Sequence, residues 1–332
     1  MKTYTCYDAP LKVFGVPFFE ENKKFERLPL SLREKLTRLD FLGRRCPGAR
    51  VGFRTDAAEF TVRVSLKTLS VDLAMSLYSC QSVVVMIGDR QNAELAGLVN
   101  PTDYEGKTFE KTFTKEAEMQ EVTLWLPRNE ELENVEVIVS DDATVLEPTP
   151  YKYGKALYYG SSITEGGCCT SVVNGYNALL SRWLDLDYYN FGFSGNARGE
   201  IELAQYISTI DMSLFVLDYD HNAPSTDHLS ETHEQFYRCI RESKPSVPIL
   251  MLSRPNFYGS PNNIIRRQII ENTYNNALKS GDKNVYYIDG EALFGNEDRT
   301  LCTVDRTHPN DLGFYRMAKC IMPTMKKMLG IE

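Results

Sequence analysis

From about Val51 to Val139, apolar and polar side chains alternate with a period of two residues. Phe60, Val62, Val64 and Leu66 are interleaved with Thr61, Arg63, Ser65 and Lys67, and Val122, Leu124 and Leu126 repeat the pattern, as do Val135, Val137 and Val139. Short strands with one apolar and one wet face predict an antiparallel sandwich. The main helical exception spans residues 30–39. Glu147-Pro148-Thr149-Pro150 then stops regular structure, because proline fixes φ and lacks an amide donor. The expected division is therefore a jelly-roll-like β-sandwich over residues 1–150 and a second domain over residues 151–332.

Beyond that point the rhythm changes. Short apolar segments at 156–159, 188–191, 214–217, 249–252 and 285–288 read as strands. Amphipathic stretches at 174–184, 200–207, 231–242, 264–278 and 310–329 read as helices. Repeated strand-helix alternation predicts a parallel sheet covered on both faces, a three-layer α/β/α architecture. In such sheets the working residues sit at the carboxyl ends of strands. The chain contains no internal repeat and no low-complexity tract.

Composition narrows the class of function. The 332 residues are ordinary globular material, 42% hydrophobic and 25% charged, long enough for two cores. Lys+Arg at 37 against Asp+Glu at 45 gives a net charge of −8, which repels a polyanion, so nucleic acid is not an expected partner. The longest apolar runs, such as residues 82–87, fall far short of the roughly 20 residues a membrane-spanning helix requires. The N-terminal residues lack the apolar core of a signal peptide, which points to the cytoplasm unless a leader has been removed. Eight cysteines without a Cys-x-x-Cys pair, two of them the neighbours Cys168 and Cys169, read as reduced thiols. Only His221, His228, His233 and His308 are available for histidine chemistry.

Four short blocks carry candidate chemistry. Gly160-Ser161-Ser162-Ile163-Thr164-Glu165-Gly166-Gly167 follows the first α/β strand, where a serine hydroxyl can stand at the sheet edge near backbone N–H groups; Gly-Ser-Ser is also a common turn. The second strand runs into Gly192-Phe193-Ser194-Gly195, whose last glycine can bring its N–H close to a substrate or can simply turn the chain. After the third strand comes Asp218-Tyr219-Asp220-His221-Asn222-Ala223, in which Asn222 can aim an amide at the same spot or cap the loop. Asp305-Arg306-Thr307-His308 precedes the terminal helix. A carboxylate three residues before a histidine can bond Nδ1 and leave Nε2 to take a serine proton, although the same spacing also serves loop salt bridges and helix starts.

The order Ser, Gly, Asn, Asp/His, with each block at a strand end, resembles the SGNH (GDSL-type) serine hydrolases over residues 155 to about 330. The resemblance implies a flavodoxin-like hydrolase domain with Ser162 as nucleophile and Asp305 and His308 as its partners. It also implies an oxyanion hole of the Ser162 and Gly195 N–H groups and the Asn222 side chain. Two positions depart from the family pattern: Ser161 stands where Asp is usual, and Asp220-His221-Asn222-Ala223 replaces Gly-x-Asn-Asp. A β-sandwich ahead of such a domain is similar to a bacterial branch that includes carbohydrate esterases.

The resulting expectation is a serine esterase acting on short-chain acyl esters, foremost O-acetyl groups on a carbohydrate or other small-molecule ester, without cofactor or metal. The alternatives are a thioesterase or lysophospholipase on the same residues, or a non-catalytic carbohydrate-binding protein on a hydrolase scaffold. The sandwich is expected to wall the cleft, because Trp125 and Trp183 are the only tryptophans and Trp125 lies in a strand pattern. His221 is expected as a loop residue, His228 and His233 as solvated. The tyrosines Tyr151, Tyr153, Tyr158 and Tyr159 are expected to pack. Cys168 and Cys169 are candidates for the acyl pocket, and Asp218, Asp220 and His221 form a metal set of unmatched spacing.

Overall fold

In the computed structural model, which describes residues 1–103, 105–255 and 260–331, the period-two segments form two antiparallel sheets. In the first, Lys2–Thr5, Leu132–Val139, Glu59–Leu66 and Thr108–Thr114 lie side by side. The second holds Val145–Leu146, Arg50–Thr55, Gln120–Trp125, Val83–Ile87 and Glu94–Val99, with Lys12–Phe14 paired to Arg50–Thr55. The alternation has the expected cause. Phe60, Val62, Val64 and Leu66 are buried in a core shared with Val51, Phe53, Val122, Leu124, Val135 and Val137. Their neighbours make cross-strand pairs on the outer face: the hydroxyls of Thr61 and Thr112 lie 2.7 Å apart, and Arg63 reaches Glu110 at 2.6 Å.

Residues 147–152 carry neither strand nor helix. The second half then builds a five-stranded parallel sheet from Tyr153–Gly160, Leu186–Gly192, Leu214–Asp218, Ile249–Leu252 and Val285–Ile288. Across the sheet the order is second, first, third, fourth, fifth, which reverses direction between the first and third strands. The carboxyl ends of those two strands flank the crevice where doubly wound sheets place ligands. Helices Tyr176–Leu184, Ile201–Thr209, Thr226–Ser243, Pro261–Lys279 and Asp311–Leu329 cover the two faces. The first of these starts later than its hydrophobic period suggests: Gly175 separates it from a 3₁₀ turn at Val172–Asn174. Among the described residues no helix is long and apolar enough to cross a membrane.

The two halves share cores. Leu32, Leu36 and Leu39, in the helical segment read at residues 30–39, and the flanking Leu28 and Leu42 pack with Phe191, Phe193, Leu203 and Ile207 on one face of the parallel sheet. On the other face, Val84, Met86 and Trp125 of the sandwich join Tyr158, Tyr188 and Leu180. Trp125 is thus buried against Tyr188 and unavailable as a sugar platform. Tyr158 and Tyr159 are buried by packing; Tyr151 and Tyr153 are half-buried.

Buried arginines stitch the seam. Arg27 donates to the carbonyls of Arg45, Leu42, Asn190 and Gly192 at 2.6–2.8 Å. Burial pulls its pKa down to about 10, and the charge of Glu165 works against that fall, so it stays cationic at neutral pH. Arg50 binds Asp187 at 2.6 Å, and Arg90 binds Asp185 at 2.8 Å and the carbonyls of Thr149 and Pro150. Carbonyl oxygens and carboxylates replace the water these guanidinium groups have lost, which is the condition for burying a charge.

Candidate active site

The first parallel strand ends at Gly160, and a four-residue helix, Ser162–Glu165, starts at once. Only glycine fits there: a Cβ on Gly160 would lie 2.0 Å from Thr164 Oγ1 and 2.4 Å from the Asp218 carbonyl oxygen. Ser161 caps the helix, its Oγ accepting from the Ile163 N–H at 3.2 Å, so a hydroxyl does the ordering here without a carboxylate. Ser162 is the first helical residue, where a backbone N–H has no intrahelical acceptor. Beneath it the buried Asp218 accepts from Thr164 Oγ1 at 2.9 Å and Tyr176 Oη at 3.0 Å. Burial raises the Asp218 pKa to about 7 against the opposing effect of those two donors.

From the far end of the chain, the loop before the terminal helix brings His308 to Ser162, with Nε2 at 2.9 Å from Oγ. His308 Nδ1 lies 2.7 Å from Asp305 Oδ2. A carboxylate offers only acceptors, so Nδ1 carries the proton and Nε2 accepts from the serine. Asp305 is itself fixed by the N–H groups of His308 at 2.7 Å and Thr307 at 3.0 Å. Partial burial pushes this carboxyl up, but the His308 and Thr307 bonds outweigh it and hold Asp305 below the usual range. Asn310 secures the loop's exit, capping the terminal helix through the Gly313 N–H and donating to the Leu301 carbonyl at 2.7 Å.

Gly195 has φ +69° and nothing within 4 Å of where a Cβ would stand, so the space in the side-chain direction is open. The preceding residue is tethered: the Ser194 N–H donates to Glu165 Oε2 at 2.8 Å. Glu165 is buried and pairs with Arg128 of the sandwich at 3.8 Å. Asn222 ends a 3₁₀ turn, Asp220–Asn222, after the third strand. Its Oδ1 accepts from the Ala197 N–H at 3.3 Å, which leaves the amide's donors directed elsewhere. Asp220 takes the place of the family's glycine as an anchor, bonded by Arg266 at 2.7 Å and by the Arg254 N–H at 3.1 Å.

These bonds also occupy Asp218 and Asp220 with protein donors, and among the described residues no group of three or more His, Cys, Asp or Glu side chains is arranged to hold a metal. His233 is not solvated: it is buried, stacked on Tyr219, bonded through Nδ1 to Thr273, and burial lowers its pKa to about 3. His228 is half-buried with Nε2 2.7 Å from the Arg198 carbonyl oxygen. His221 is held by Arg254. Cys169 is buried against the Gly166 carbonyl and Ser79, whereas the half-buried Cys168 meets Met75 of the sandwich at 3.7 Å. All eight cysteines are free.

Comparison with known proteins now decides the class. The profile of the GDSL-like lipase/acylhydrolase family matches residues 155–326, and that of the N-terminal region of SGNH-hydrolase-type esterases matches residues 3–145. The chain belongs to the GDSL-like lipase/acylhydrolase family. It is a serine ester hydrolase of the SGNH type. A protein assigned as a GDSL-like lipase from Bacteroides ovatus superposes with a TM-score of 0.88 at 27% identity, covering 100% of this chain and 98% of its own. The salicylyl-acyltransferase SsfX3 from a tetracycline biosynthetic pathway gives 0.80 at 21% identity over 98% and 97% of the two chains. A family two carbohydrate esterase from Clostridium thermocellum, in complex with cellohexaose, gives 0.64 at 17% over 86% and 93%. The last two share the fold with this hydrolase. No functionally curated protein matches the chain in a sequence search.

Sequence reasoning missed Glu165 and the Arg254–Asp220–Arg266 clamp. Glu165 sits inside the Gly-Ser-Ser-Ile-Thr block, so its place was visible; its partners, 29 residues later and in the other half of the chain, were not.

Proposed function

We propose that this hydrolase removes short acyl groups from ester oxygens, foremost O-acetyl groups on a carbohydrate, with Ser162 as nucleophile, His308 as general base and acid, and Asp305 as its orienting partner. The observation that carries this reading is the continuous line of Asp305 Oδ2, His308 and Ser162 Oγ, with contacts of 2.7 and 2.9 Å. His308 takes the serine proton as Oγ attacks the ester carbonyl, then protonates the departing alcohol. Water, deprotonated by the same ring, releases the acyl group. The N–H groups of Ser162 and Gly195 and the amide of Asn222 serve the oxyanion, and no step calls for a metal or cofactor. Asp305 holds the tautomer and stabilises the imidazolium.

The substrate class rests on two supports. One is the shared fold with carbohydrate esterases, one of them holding an oligosaccharide. The other is the shape beside the nucleophile. A Cβ on Gly167 would stand 3.5 Å from both Met75 Cε and Ser162 Cβ, so Met75 of the N-terminal half flanks the glycine next to the nucleophile, where it supports the reading of a short acyl group. In this reading the N-terminal half, ending at 147–150, walls the cleft. A panel of esters varying acyl length from acetyl to octanoyl and alcohol from aryl to acetylated oligosaccharide tests the proposal. The expected result is turnover of the acetylated sugar and a fall in kcat/KM of about tenfold or more by octanoyl; preference for long chains or thioesters overturns it.

A further inference from the structure

The N-terminal half carries a cleft of its own close to the nucleophile. Residues 76–82, which include a short helix at Leu77–Gln81, face residues 100–103 across a space of about 400 Å³, a volume typical of small-ligand sites. The link to the catalytic centre runs through Met75. Its Cε and the Ser162 Cβ stand equally close to the position a Gly167 Cβ would take, and its Sδ accepts from the Cys168 N–H at 3.3 Å. Ser76, the next residue, lines the cleft and donates through Oγ to the Thr170 carbonyl at 3.0 Å. The cleft thus begins one residue beyond the side chain that flanks the nucleophile's glycine.

Its walls have a definite chemistry. Tyr78, 58% exposed, and Leu77 offer apolar surface, while Gln81, Ser82, Asn100 and Thr102 bring amide and hydroxyl groups. Among the described lining residues there is no lysine or arginine to attract an anion. Asp103 is the one carboxylate among them, and its Oδ1 is taken by the N–H groups of Glu105 and Gly106 at 2.9 and 2.7 Å. An exposed ring beside neutral donors and acceptors suits a ligand that has apolar C–H faces and a rim of hydroxyls. The support is fixed in advance. Buried Glu130 accepts from Thr68 Oγ1 at 2.7 Å, the Ser70 N–H at 3.0 Å and Ser70 Oγ at 3.1 Å, and the Ser70 carbonyl takes the Gln81 amide. The N–H groups of Arg128 and Asn129 hold the carbonyls of Ser79 and Cys80 at 3.2 and 3.1 Å. A wall tied down in this way loses little freedom when a ligand binds.

We propose that this cleft is a subsite for the sugar units adjoining the acylated one, with Tyr78 as their stacking surface and Asn100 as a hydrogen-bonding partner. The inference rests on the carbohydrate-ester reading above and deepens it: the preferred substrate is an acetylated oligosaccharide or polysaccharide, and the sandwich binds it directly.

The test measures kcat and KM on acetylated cellohexaose and acetylated xylohexaose, each against its acetylated monosaccharide, with an aryl acetate alongside. The wild type should show a KM about tenfold or more lower for the longer ester in at least one series. Tyr78→Ala should erase that advantage while kcat stays within about threefold, since the contact lies away from the reacting atoms. Tyr78→Phe, which keeps the ring, should retain most of the advantage, and Asn100→Ala should lose part of it. Melting temperatures identify a variant that fails to fold, and calorimetry of the unacetylated hexaose on Ser162→Ala, with and without Tyr78→Ala, reads binding without turnover. Equal KM values for long and short esters in both series, or a folded Tyr78→Ala that keeps the wild-type preference, overturns the inference and leaves the esterase reading standing. Turnover of the aryl acetate with neither sugar series hydrolysed overturns the carbohydrate assignment together with it.

Discussion

Glu165 joins the nucleophile helix, the Gly195 loop and the sandwich, so replacing it tests whether they act as one unit. Its side chain is 1% exposed and faces Arg128, 3% exposed, at 3.8 Å. Buried Arg27 and Arg45 also feel its charge. At an effective dielectric near 20, the Arg128 pair alone has a gross attraction of about 4 kcal/mol. Removing one member of a buried pair typically costs about 3–5 kcal/mol, because the remaining cation is left uncompensated. Glu165→Gln should therefore lose about that much stability while its amide oxygen still accepts from the Ser194 N–H. Glu165→Ala loses the same charge, opens a cavity and orphans that N–H, for about 1–3 kcal/mol more. Urea unfolding followed by fluorescence measures the stabilities, and initial rates on a short ester measure kcat. If the Glu165–Ser194 bond positions Gly195, the alanine variant should fall about tenfold or more in kcat and the glutamine variant only a few-fold. Both variants unfolding within about 1 kcal/mol of the wild type, or equal kcat losses in the two, would refute the reasoning.

Asn222→Ala should lower kcat by roughly 10²–10³ with little change in KM, since an oxyanion contact forms mainly in the transition state; a loss of melting temperature with kcat preserved would reduce Asn222 to a loop tie through Ala197. Asp218, with its pKa raised to about 7 against an ordinary 3.8, stabilises the fold fully below about pH 4. That contribution is lost as pH rises to about 7, because the unfolded chain ionises first. Asp218→Asn should flatten this slope, so its stability relative to the wild type should increase between pH 4 and pH 8 in urea titrations; a constant difference contradicts the assignment.

Much of this architecture can be read from local pattern. The period-two run Phe60 to Leu66 points its apolar side chains into the sandwich core, and the five apolar segments after residue 150 all become parallel strands. Serine, histidine and aspartate were legible because each lies in a short block at a strand end or before a helix. What escaped was set by distance along the chain. Leu32 and Leu39 belong to the hydrolase core although they lie more than 100 residues before it, and their helical spacing names no partner. The polar alternation around His233 hides a buried ring because the helix turns that position toward Tyr219 and Thr273. Arg128 and Arg254 carry no motif at all; their roles arise only when folding brings Glu165 and His221 to them.

The central claim is that Ser162 is the nucleophile, and its most direct test is peptide mass mapping after treatment with a fluorophosphonate. One adduct is predicted, on the peptide containing Ser162, absent in Ser162→Ala and retained in Ser161→Ala. An adduct that survives Ser162→Ala, or one carried by a peptide lacking Ser162, would contradict the account.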